Sequence, residues 1–65
     1  MKITVDVTGK DHYQVVKRLE AAVKIGLKVG RGAIAGPIGR FEGEIKDSKF
    51  KALKKLPGIL AVEMI

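Results

Sequence analysis

Twice along this chain the apolar residues change their repeat from two to about three and a half, and that change limits the fold more than any other feature. From Lys2 to Thr8 the alternation is strict. Ile3, Val5 and Val7 fall on one face, Lys2, Thr4, Asp6 and Thr8 on the other, and Gly9 ends the run. This is the pattern of a half-buried strand. Asp11 then stands three residues before Gln14, a pair that can close a capping box. Val15, Val16, Leu19, Ala22 and Val23 follow at helical spacing. Gly26 suits the left-handed residue that ends a helix. Lys17, Arg18, Glu20 and Lys24 are predicted to face water.

The second half repeats the sequence of periods. Leu27 and Val29 open a second strand, and the glycines at 30, 32, 36 and 39, with Pro37, predict a bend, a bulge or a mobile hairpin loop. Alternation resumes in "RFEGEI", with Phe41 and Ile45 on one side, Gly43 between them, and Arg40, Glu42 and Glu44 on the other. Asp47 or Ser48 can cap a short helix that carries Phe50 and Leu53 inward. Leu56-Pro57-Gly58 stops it, because proline cannot continue a helix and glycine takes the turn. In the closing "ILAVEMI" the expected inward set is Leu60, Val62 and Met64, with Ile59, Ala61, Glu63 and Ile65 opposite; the pattern also permits the exchanged assignment.

The order is β-α-β-β-α-β in one domain over residues 1–65. It predicts an α+β, ferredoxin-like architecture: a four-stranded antiparallel sheet with two helices on one face. The other sheet face is then open, bearing Lys2, Thr4, Asp6, Thr8, Arg40, Glu42, Glu44, Ile59, Ala61, Glu63 and Ile65. It is either a binding surface or a plain solvated face with scattered apolar residues.

A 65-residue domain buries only about 60% of its unfolded surface, so its margin is thin. There is no cysteine and His12 is the only histidine, which leaves neither a disulfide framework nor the ligands zinc asks for. Stability must come from packing, oligomerisation or docking. No apolar run reaches the length of a membrane span, and the first residues lack the apolar region of a signal peptide. The expected setting is soluble and cytoplasmic, without a membrane.

The glycine-rich stretch does not match a phosphate loop: Gly30, Gly32 and Gly36 miss the G-x-G-x-x-G spacing, and Gly39 leads into a strand where a helix N-terminus is required. Catalysis has little support. No nucleophile is placed near His12, and paired carboxylates such as Glu42 and Glu44 do acid–base work only in a pocket that shifts their pKa values. Neither cofactor nor metal is expected. Nucleic acid is a further candidate, since thirteen Lys and Arg stand against seven Asp and Glu, a net charge of +6. The aromatic residues are only Tyr13, Phe41 and Phe50, and the open face carries carboxylates, so base stacking there is not expected. The positive charge is predicted to gather on the helices at Lys17, Arg18, Lys24, Lys49, Lys51, Lys54 and Lys55, with Lys28 and Arg31 nearby. The bland alternative is a solvated lysine surface.

The run "GRFEGEIKDSKFKALKKLPGILAVE" resembles the end of the subtilisin propeptide and of the stand-alone inhibitors of the proteinase inhibitor I9 family. The shared pattern is an aromatic–x–Gly–Glu–aliphatic strand from Phe41 to Ile45, a short helix with Phe50 and Leu53, a turn at Pro57, and a strand from Ile59 to Glu63. Met1 to Val7 looks like the family's first strand, and "KIGLKV" like the end of its first helix running into strand two. The resemblance implies a non-enzymatic inhibitor or folding chaperone. Such a domain docks its open sheet face against two surface helices of a subtilisin-like serine protease. It also implies that acidic residues of that face, here Glu42, Glu44 and Glu63, cap those helices. Met64 and Ile65 are the residues that would lead on toward the protease cleft. A third expectation is self-association, with the open face and the Ile65 edge pairing with a second copy.

Overall fold

The computed structural model describes all 65 residues. Its elements are β1 (Lys2–Thr8), α1 (His12–Lys24), β2 (Lys28–Ala35), β3 (Ile38–Glu44), a 3₁₀ turn (Asp47–Lys49), α2 (Phe50–Lys55) and β4 (Ile59–Met64). The four strands form one antiparallel sheet in the order β2-β3-β1-β4, the ferredoxin-like arrangement with both helices on one face. Ile3, Val5 and Val7 are fully buried and form its centre, with Val15 and Ala22 of α1, Leu53 of α2, and Leu27, Phe41 and Ile45 around them.

The first helix forms where the sequence places it. The Asp11 carboxylate accepts from the Gln14 N–H at 2.9 Å, and the Gln14 side chain accepts from the Lys10 N–H at 2.6 Å. At the other end Gly26 adopts φ +116°, and the N–H groups of Gly26 and Leu27 donate to the carbonyls of Val23 and Ala22. That is the Schellman closure, in which two otherwise orphaned carbonyls are satisfied. Val23 departs from the predicted stripe and is about half exposed. Arg18 departs as well. Instead of facing water it lies across Gly58 and donates to the Thr8 carbonyl at 2.8 Å.

Of the bend, bulge or mobile hairpin loop expected over residues 30 to 39, the structure shows a bulge and a tight hairpin turn within paired strands. Ala35 pairs with Ile38, so Gly36-Pro37 is a two-residue hairpin turn, with Gly36 at φ +61°. The bulge falls between Val29 and Arg31. Asp47 and Ser48 do not cap α2: neither that helix nor the 3₁₀ turn before it has a side-chain cap, and Asp47 lies 3.9 Å from the Met1 amine.

The last strand needs the largest correction. Val62 pairs with Val5 and Met64 with Ile3, but the register slips next to Asp6, and Ile59 pairs with Val7. Ile59 therefore packs against the core, while Leu60, expected inward, is 62% exposed. Neither of the two alternating assignments is realised. A bulge spends one residue out of step, so no single phase describes the whole strand.

Candidate functional site: the open sheet face

The face of the sheet turned away from the helices is built from cross-strand rows. The central row places Arg31, Glu42, Thr4 and Glu63 side by side across β2, β3, β1 and β4. The next row holds Ala33, Arg40, Asp6 and Ala61, and the row on the other side Lys28, Glu44 and Lys2. Alternation puts these residues here for the same reason that it puts Ile3, Val5 and Val7 in the core.

Two consequences follow for charge. Glu44 has a lysine on either neighbouring strand, and Glu42 has Arg31 beside it. Asp6 and Arg40 form a two-pronged pair, with Nε 2.8 Å from Oδ1 and a terminal guanidinium nitrogen 3.2 Å from Oδ2. The hydrogen bond from Arg40 holds the Asp6 carboxyl below its ordinary value, against a smaller opposing effect of burial. Arg40 is correspondingly pushed up by Asp6, with a lesser contribution from Glu63. Lys28 and Arg31, expected near the helices, thus belong to this face. Four basic residues (Lys2, Lys28, Arg31, Arg40) meet four acidic ones (Asp6, Glu42, Glu44, Glu63), and the face is neutral. The other nine basic and three acidic residues, on the helices and the segments leading into them, hold the entire +6.

The five residues singled out from sequence fall into two groups. Glu42, Glu44 and Glu63 are exposed on the open face, with Glu42 and Glu63 flanking Thr4 in one row and Glu44 a row away. Met64 and Ile65 are exposed at the end of β4. Ile65 borders a shallow depression on the open face, whose charged lining includes Lys2, Lys28 and Arg31. Ile59 does not belong to the face. Sequence reasoning missed Arg31, Lys28, Ala33 and Ile38 there; the signal that places them is the β2–β3 hairpin register. Phe41 lies in the core, so the face carries no aromatic ring.

The depressions of this surface are open. No three His, Asp or Glu side chains gather as a metal would require, and no helix is long and apolar enough to cross a membrane. What the arrangement offers chemically is rows of interspersed acidic and basic side chains on a hydrogen-bonded sheet, suited to recognition by contact. No family model, curated protein or solved structure matches this chain.

Proposed function

We propose that this chain is a small non-enzymatic binding module that docks through its open sheet face onto paired helices of a subtilisin-like protease, as the resemblance to I9 domains implies. The observation that carries the reading is the row in which Glu42 and Glu63 flank Thr4. Two strand spacings separate them, about 9.5 Å. Packed neighbouring helices lie about 8–10 Å apart, axis to axis. Each carboxylate can therefore meet the N-terminus of one helix, where anions are favoured. Met64 and Ile65, exposed just beyond Glu63, would lie at the margin of that contact.

The test is a titration of the protein into an active-site-blocked subtilisin-like protease. Glu42→Gln and Glu63→Gln should each weaken binding roughly two- to fivefold, the usual worth of one charge at a helix end. Glu44→Gln, a row away and flanked by lysines, should do less. Absence of any complex at high micromolar concentration would sink the proposal.

The charge partition favours a second reading, in which the helix side binds a polyanion such as nucleic acid. Its mark is affinity that falls steeply with salt and is insensitive to Glu42 and Glu63.

A further inference from the structure

We infer that the outer edge of β4 accepts an extended, acidic segment of a partner protein as a fifth strand. In an antiparallel ladder, hydrogen-bonded residues alternate along the strand. The Ile65 N–H donates to the Lys2 carbonyl at 3.0 Å, so Ile65, Glu63 and Ala61 direct their backbone groups at β1. The N–H and C=O groups of Val62 and Met64 then point outward. They are a ready template for another strand.

The two edges of the sheet differ. β2 carries Lys28 and Arg31 and a bulge at Gly30, the devices that blunt an edge against pairing. From Ile59 to Ile65 there is no lysine, arginine, proline or glycine, and Leu60, Met64 and Ile65 are 62%, 69% and 73% exposed. β4 has its own register slip, at Leu60, but from Ala61 to Ile65 its pairing is regular, its one charge is Glu63 on the open face, and it is the apolar edge.

Charge selects the occupant. α2 packs on β4, and its Lys51, Lys54 and Lys55 are all exposed. A strand added beside β4 sends alternate side chains toward the helix layer and the rest toward the open face. Acids suit the first set, near the lysines. Apolar residues suit the second, beside Ala61 and Ile65, where Glu63 disfavours further carboxylates. A second copy is a poorer occupant. Pairing β4 with its own twin sets two α2 helices side by side on one face of the joined sheet, lysines against lysines. Backbone pairing supplies the affinity in such strand addition and the alternate side chains supply the specificity.

The experiment uses the full chain, isotope-labelled, and a blocked heptapeptide alternating Val and Glu. Saturating peptide should slow amide exchange at Val62 and Met64 by at least about tenfold, as ordered pairing of open amides does. It should leave the amides on the β2 edge unchanged. The same peptide with Lys in place of Glu should not protect. Met64→Glu, at an exposed position that leaves the core untouched, should weaken the Val/Glu peptide about fivefold through like charge across the new pair. Protection absent at Val62 and Met64, or equal protection by the Lys peptide, overturns the inference. So does protection that rises with protein concentration without peptide, which would give the edge to a second copy.

Discussion

Phe41 is 7% exposed, and its ring lies over two glycines of the hairpin. A Cβ on Gly32 would stand 2.3 Å from its Cδ1 and 2.4 Å from the Arg40 carbonyl oxygen; one on Gly39 would stand 2.7 Å from its Cε2. Backbone oxygen cannot move aside as a flexible side chain can. Gly32→Ala should therefore cost about 1–3 kcal/mol, the range for overpacking. Total stability for 65 residues is of order 3–10 kcal/mol. The loss should appear as a clear drop in the urea midpoint. Gly30→Ala, whose nearest neighbour is the Glu42 oxygen at 3.4 Å, should leave the midpoint nearly unchanged. Asp6 makes a pH-dependent prediction. Its folded carboxyl is held below the ordinary 3.8 by the Arg40 hydrogen bond. Stability from that pairing is present above the ordinary value and is lost as pH falls through the folded one. Asp6→Asn should lower Tm modestly at pH 7, and the gap from the parent protein should close as the pH drops below 3.8. A gap that stays constant with pH would mean that the lost stability comes from packing.

At the scale of elements, α2 is the weakest link. It is six residues long, lacks a side-chain cap, and fully buries only Leu53. Helices this short do not persist in water unaided, so packing must hold it. Leu53→Ala should cost about 2–5 kcal/mol, with α2 detaching from β4 before the sheet melts. Amide exchange across residues 50–55 that outruns exchange in β1 would show it. The order of elements was legible because each strand and helix carries its own apolar period, and α1 was legible down to its caps through Asp11, Gln14 and Gly26. Two elements were not. The glycines from 30 to 39 read as a bend, a bulge or a mobile hairpin loop because glycine disfavours strands on average; the bulge and the hairpin turn are there, but within continuous strand pairing, where glycines 32, 39 and 43 leave room for the Phe41 ring and the neighbouring backbone. β4 was misphased because a bulge leaves no mark on an alternating apolar run, so Leu60 and Ile59 took each other's places.

At the scale of the whole molecule, the chain separates its charge by layer: a neutral sheet face and a helix side holding all of the +6. Composition gives the total but not the placement. Glu42 and Glu44 could be assigned to the open face by alternation, whereas for Glu63 alternation allowed either face and the pairing with Thr4 decides it. Lys28 and Arg31 could not be set among them, because their partners across the sheet are fixed by the hairpin register. The partition makes the two functional readings separable in one titration series. If the helix side binds a nucleic-acid backbone, the logarithm of affinity for a short DNA duplex should fall linearly with the logarithm of salt, about 0.9 per phosphate neutralised. Lys54→Gln with Lys55→Gln should then flatten that slope by about 1.8. Lys2→Gln with Lys28→Gln should leave it unchanged, since those lysines sit beside Glu44 on the neutral face. The blocked protease should respond the other way: its binding should be indifferent to Lys54 and Lys55 and should fall with Glu42→Gln and Glu63→Gln. A duplex affinity that depends equally on both lysine pairs would mean that the layers do not act as separate surfaces, and both assignments would then fail together.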